Sequence, residues 1–276
     1  MNYIKTLRVV SKIRKRCQVV LCGNDYERIK HALTTFKSNV VYLIENENPI
    51  PTHAAHDEEV ARRLVKILKG MQFSDDEIKR CEVNYYKFDE ALVSLYELFL
   101  TLQDDYEIIL NVTGGTKLLA VASVIAAMFT NVEPIYIAAK EYSGDLDAPG
   151  KGFIDQPIGI SPLFELSNIL LPTGEEEITI LKYLLAHQNE GAKTVAEMIP
   201  PSEIAEIHSR VGAAGTGLPQ KELKKVVSKY SHYASKLQKQ NLVEEGKHHL
   251  ILTGLGNLVA RLVVTRDRVK SRTKSK

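Results

Sequence analysis

Asn111-Val112-Thr113-Gly114-Gly115-Thr116-Lys117 follows the apolar run Ile108-Ile109-Leu110 and precedes the Ala-rich apolar run from Leu118 to Phe129. This order reads as a buried strand, a glycine turn and a buried helix. The two glycines allow a close backbone approach to a ligand. The helix start behind them offers unpaired N–H groups and the positive end of a dipole, and Lys117 brings a full charge to the same place. A phosphate-rich small molecule suits such a site, although glycine turns of this kind are also common as plain strand-to-helix connections. The spacing fits neither a Walker A loop nor the G-x-G-x-x-G dinucleotide fingerprint, so it does not point to ATP hydrolysis or hydride transfer.

Outward from this turn, the first half alternates strand-like and helix-like segments. The strands are expected at Cys17–Cys22, Asn39–Glu45, Cys81–Phe88, Tyr106–Asn111 and Glu133–Ala138. Helices are expected at Tyr26–Phe36, His53–Lys69, from a cap at Asp89 to Leu102, and at Gly115–Phe129. Alternation of this kind predicts an α/β fold with a parallel sheet covered on both faces. Ligands of such sheets bind beyond the carboxyl ends of the strands. The turn after the first strand, Gly23-Asn24-Asp25, and the turn Thr113–Lys117 both lie on that edge. Residues 1–16 are basic and show helical apolar spacing, as a surface helix would.

From 146 to 174 the chain becomes rich in Gly and Pro and reads as an edge element and linker. Residues 175–264 then order as helix, short helical pieces, helix, two short strands and a final helix, Gly254–Val264. That is the order of a winged helix-turn-helix with an insertion at about 190–217. Within it, one helix is expected at Gln220–Val227, a break at Lys229–Ser231, and a recognition helix ending at Gln240. Tyr230, Ser231, His232, Ser235, Lys236 and Lys239 are placed to meet DNA, with Lys247 and His248 at the wing tip. Tyr233, Ala234 and Leu237 suit the core. Residues 265–276 form a basic tail read as disordered.

The net charge of +2 conceals an asymmetry. Residues 218–276 carry 14 Lys/Arg against 4 Asp/Glu, a balance of +10, which favours a polyanionic partner such as duplex DNA. The hydrophobic share of 44% and charged share of 25% are those of a globular chain. No apolar run is long enough for a membrane span. Three cysteines without C-x-x-C spacing argue against zinc and fit a cytoplasmic protein with buried thiols. No metal or cofactor is expected.

An α/β domain whose fourth strand ends in Asn-Val-Thr-Gly-Gly-Thr-Lys, followed by a winged helix, resembles the CRISPR-associated Rossmann fold (CARF) regulators. The resemblance implies a Rossmann-like CARF domain at 1–145 and a homodimer that binds a cyclic oligoadenylate, tetra- or hexa-adenylate, across its two copies. It places Thr113, Gly114, Gly115, Thr116 and Lys117, together with Gly23, Asn24 and Asp25, at the ligand. Arg210 and Arg261 lack the histidine spacing of HEPN ribonucleases, which favours a transcription regulator in CRISPR-linked antiviral defence over a nuclease effector. Two alternatives accompany that reading. One is a ring nuclease that linearises its ligand with the help of Thr113, Thr116 and Lys117. The other is a non-catalytic adaptor whose winged domain contacts proteins.

Overall fold

The computed structural model describes residues 14–130, 132–141, 158–159, 171–190, 193–205, 220–246 and 249–274. The chain divides into two compact units, Met1–Leu163 and Phe164–Lys276.

In the first unit the sequence folds as strand–helix repeats. They are β1 (Lys15–Leu21), α1 (Tyr26–Thr35), β2 (Val40–Asn46), α2 (Ala54–Gly70), β3 (Ile78–Val83), α3 (Phe88–Leu102), β4 (Tyr106–Asn111), α4 (Lys117–Met128), β5 (Glu133–Tyr136) and β6 (Ile158–Gly159). The sheet order is β3-β2-β1-β4-β5-β6. The first five strands are parallel and β6 runs antiparallel to β5. This is the expected Rossmann-like α/β architecture. Strands β1, β2 and β4 are near-continuous apolar runs because helices cover both of their faces. The edge strand β3 carries Lys79, Arg80 and Glu82, charges that discourage pairing with a foreign strand. Tyr96 and Phe99 of α3 are fully buried, and Tyr96 meets Phe129 edge-on at 6.0 Å. Cys17 and Cys22 are buried; desolvation pushes the Cys17 thiol up to about 12 and that of Cys22 higher still, so both stay protonated.

The strand order decides where a ligand can sit. The chain moves outward from β1 to β2 to β3, then returns through α3 to place β4 on the other side of β1. The turns after β1 and β4 therefore flank the switch point of the sheet.

Three local expectations are corrected here. Lys15 and Arg16 belong to β1 rather than to an N-terminal helix, and Arg16 pairs with Glu107, its register partner on β4, at 3.1 Å. Residues 1–13 lie outside the described residues. Strand β3 begins at Ile78, ahead of the expected Cys81. Lys87 occupies the N-cap of α3, so Asp89 sits inside its first turn without capping it. There the carboxylate still faces the positive helix end.

The second unit comprises α5 (Glu175–Ala186), a 3₁₀ turn (Val195–Met198), a helical stretch at 201–205, α6 (Gln220–Lys239), β7 (Val243–Gly246), β8 (His249–Leu252) and α7 (Gly254–Lys274). Thr194 and Glu197 form a reciprocal capping box on the 3₁₀ turn. A bridge from Lys193 to Leu250 adds to the β7–β8 hairpin. This order is compatible with a winged helix. Ile180, Leu181, Tyr230, Leu237, Val259 and Val263 lie in its core.

The expected break at Lys229–Ser231 is absent, and α6 is one helix of 20 residues. Nothing in Lys229-Tyr230-Ser231 breaks a helix. Ser231 Oγ donates back to the Val227 carbonyl, and the buried Tyr230 donates to Glu203 Oε2 at 2.8 Å, which anchors the helix mid-length. The expected end at Val264 is also passed. Helix α7 continues to Lys274 because Thr265 and Val269 remain buried and Asp267 ties to Lys182. The segment read as a disordered tail is thus largely helical. No helix among the described residues is long and apolar enough to cross a membrane.

Candidate functional site

The two turns at the switch point touch backbone to backbone. A Cβ on Gly23 would lie 2.5 Å from Gly115 N and 2.8 Å from Gly114 Cα; one on Gly114 would lie 2.3 Å from Leu21 O. Gly115 has φ +78°, a conformation that glycine adopts without strain. Gly23 and Gly114 are therefore glycines because the turns interlock. For Gly114 the space that a ligand was expected to approach is filled by the protein itself, whereas Gly115 stays exposed.

What the interlock presents is the first turn of α4. Thr116 is the N-cap, and its Oγ1 accepts the Leu119 N–H at 3.2 Å. The N–H groups of Thr116, Lys117 and Leu118 find no acceptor among the described residues. The Lys117 side chain is exposed beside them and makes no ion pair among the described residues. Three free N–H groups, a helix dipole and a free ammonium make an anion site.

Two of the expected ligand residues are engaged elsewhere. Thr113 is buried, and its Oγ1 accepts the Ile137 N–H at 3.1 Å, which extends β5 past its last paired residue. Asp25 forms an ion pair with Arg28, whose buried guanidinium also donates to the Ile137 carbonyl at 3.0 Å and to Tyr136 Oη at 3.3 Å.

Beside the α4 terminus opens a cleft of about 450 Å³, lined by the carboxyl ends of β1, β2 and β3 and the start of α2. Gly23, Asn24, Gly115 and Thr116 line it as a group. Its other walls are not found by sequence reasoning and include His53, His56, Asp57, Glu45, Arg80 and Tyr86. The signal that could have found them is positional, since a helix start following a central strand lies on the same sheet edge. Asn24 Nδ2 lies 3.0 Å from His56 Nε2, joining the first turn to α2. Arg80 is bidentate on Glu45, both contacts at 2.5 Å, and Asp57 accepts from Asn46 at 3.1 Å. The arginine of this cleft is thus committed to a carboxylate. The cleft suits the uncharged parts of a ligand, while the α4 terminus suits its phosphates.

In the second unit, α6 sorts its polar residues into two faces. Lys236 Nζ lies 2.5 Å from Glu177 Oε1, a carboxylate with a side chain only 2% exposed. Lys229 bridges Glu176 at 2.8 Å and Glu203 at 3.2 Å. These contacts hold both lysines above the usual ammonium range, chiefly through hydrogen bonds to the carboxylates. Tyr230 is buried, and Ser231 bonds within the helix. Tyr230 is therefore held inside the domain, Ser231 is half-buried with its hydroxyl on the helix backbone, and Lys236, though exposed, is committed to Glu177, which corrects their assignment to DNA. His232, Ser235 and Lys239 are exposed, and Ser228 and Lys225 extend the same stripe. Of the expected core residues, Ala234 and Leu237 are buried and Tyr233 is half-buried. Lys247 and His248 lie outside the described residues.

Residues 16–142 match a family model described as HFX_2341_N:-like, N-terminal. No curated protein matches the sequence significantly. Among solved structures, the chain is similar to Can2 from Sulfobacillus thermosulfidooxidans in complex with cyclic tetra-adenylate, at 13% identity and TM-score 0.37, over 94% of this chain and 65% of that one. It is also similar to Enterococcus italicus Csm6 bound to cyclic hexa-2'-fluoro-hexa-dAMP, at 13% identity and TM-score 0.39, over 83% of this chain and 55% of that one. A third is protein VC1899 from Vibrio cholerae, at 10% identity and TM-score 0.39, over 94% of this chain and 68% of that one. The chain thus spans 65% and 55% of the length of the first two.

Proposed function

We propose that this chain is a ligand-responsive DNA-binding regulator whose first unit is a CARF domain for a cyclic oligoadenylate. The observation that carries this reading is the α4 terminus, where the free N–H groups of Thr116 to Leu118 and the unpaired Lys117 meet a cleft poor in free cations. A ring of alternating phosphates and nucleosides needs both kinds of surface side by side. The sequence resemblance names the adenylate ring.

The same helix supports the homodimer. Helix α4 is apolar around its circumference, with Leu118 40% and Val121 53% exposed and Ile125 half-buried on its outward face. A helix apolar all round is one that is covered on all sides. A second copy packed there brings two α4 termini, and so two anion sites, to one axis.

In the second unit, the stripe Lys225, Ser228, His232, Ser235 and Lys239 on α6 is the surface for duplex DNA. Its serines and lysines are phosphate-positioning residues more than base readers. A ligand that favours one arrangement of the dimer over another changes DNA affinity by that difference. Fluorescence anisotropy on the gene's own upstream duplex tests this, with and without cyclic tetra- and hexa-adenylate. The reading predicts binding, and an affinity altered by one ring. Absence of duplex binding in every condition removes the regulator.

A further inference from the structure

We propose that Gln18 and Asn111, two fully buried amides, are positioning residues for the anion-binding turn, an inference that rests on the ligand site proposed above. Gln18 lies in the middle of β1 and Asn111 at the end of β4. Both are 0% exposed, in strands whose neighbouring positions are apolar. Uncompensated amides in such surroundings are costly, so their bonds define what they are for.

Those bonds run in one chain. Gln18 Nε2 donates to the Phe36 carbonyl at 3.3 Å and, at 3.5 Å, to that of Ala32, both at the carboxyl end of α1. Gln18 Oε1 accepts from Asn111 Nδ2 at 3.3 Å. Asn111 Oδ1 accepts the Thr113 N–H at 3.1 Å. The chain thus leads from the end of α1, through the sheet, to the first residue of the turn that presents Gly115 and Thr116. Its geometry leaves each amide one orientation. Gln18 must turn its NH2 to the helix carbonyls, so its oxygen faces Asn111, whose own oxygen is then directed at the turn.

A second tie closes the circuit. Thr113 accepts from the Ile137 N–H, the Ile137 carbonyl accepts from Arg28, and Arg28 holds Asp25 at the start of α1. Both ends of α1 are bonded into the frame of the ligand turn. The turn is thereby held in its binding geometry before any ligand arrives, which removes an ordering cost from binding. Neither amide lines the cleft, so neither contacts the ligand.

The test separates positioning from packing. Replacing both partners of a buried hydrogen bond by apolar groups of similar shape is nearly neutral for stability. The double variant Gln18→Leu/Asn111→Leu removes the amide–amide bond with both its partners but leaves the buried Thr113 N–H without an acceptor, so it should fold and melt somewhat below the parent. We expect amide exchange at Thr113 at least about tenfold faster, and cyclic oligoadenylate binding about tenfold weaker. Unchanged exchange in that turn overturns the inference. In the parent, the Thr113 amide should exchange as slowly as those of β4, and a rate typical of an open loop overturns the inference even if the double variant does not fold. If exchange behaves as expected but the parent binds neither cyclic tetra- nor hexa-adenylate, the positioning role stands and the ligand reading falls.

Discussion

Lys117 at the start of α4 and Lys236 in the last turn of α6 are both exposed lysines on helices, and by sequence both suit an anion outside the protein. Lys117 has no carboxylate partner among the described residues and stands beside free backbone N–H groups. Lys236 is 52% exposed, yet its ammonium is held by the buried Glu177. Exposure does not separate a free cation from a committed one; the burial of the partner does. A buried carboxylate left without its cation carries a large desolvation cost, so that lysine belongs to the fold.

The largest effects should come from the glycines that close each unit. Gly114→Ala sets a Cβ 2.3 Å from Leu21 O in the first unit, and Gly256→Ala sets one 1.7 Å from Leu242 O in the second. Backbone atoms cannot yield cheaply, so each should cost about 3 kcal/mol or more by thermal or chemical unfolding. If Gly114→Ala were tolerated, the interlock of the two turns would be refuted, and the glycines would be free to serve ligand approach.

Next comes the contrast between lysines on α6. Lys236→Glu places a second carboxylate against Glu177 and should lower the melting temperature of the second unit clearly, while leaving nucleotide binding intact. Lys239→Glu should leave stability within about 0.5 kcal/mol, as surface changes do, and weaken duplex binding. Equal melting of the two variants would erase the distinction drawn between them. In the first unit, Lys117→Ala should weaken an anionic ligand by about 1–3 kcal/mol without loss of stability. Unchanged affinity would leave the helix terminus as the sole phosphate contact. The smallest effect belongs to the end of α7. Truncation after Val269 removes four basic residues, the exposed Lys270, Arg272 and Lys274 together with Lys276. It should lower duplex affinity for all sequences alike and flatten the salt dependence by about 0.9 in slope for each phosphate no longer neutralised.

The same contrast between lysines shows what a sequence can reveal. The run Ile108–Lys117 is enough to place a strand, a turn and a helix terminus, because apolar periodicity and glycine punctuation are local signals. Gln18 is silent: a glutamine inside Cys17–Cys22 carries no sign of which carbonyls it will meet. The same holds for the ion pairs of α6. Glu177 and Lys236 are far apart in sequence, and their contact depends on how α5 packs on α6. The false break at Lys229–Ser231 arises because Tyr230 and Ser231 read as polar surface, whereas Glu203 gives the tyrosine hydroxyl a partner inside the fold. The cleft residues His53, His56 and Asp57 are legible in principle from their place at a helix start on the ligand edge.

The most direct test of the central claim is calorimetric titration of the purified protein with cyclic tetra-adenylate and cyclic hexa-adenylate at micromolar concentration. The predicted result is saturable heat with one of the rings, at one ring per two chains, strongly reduced in Lys117→Ala. No heat with either ring would contradict the account and leave the α4 terminus without its proposed ligand.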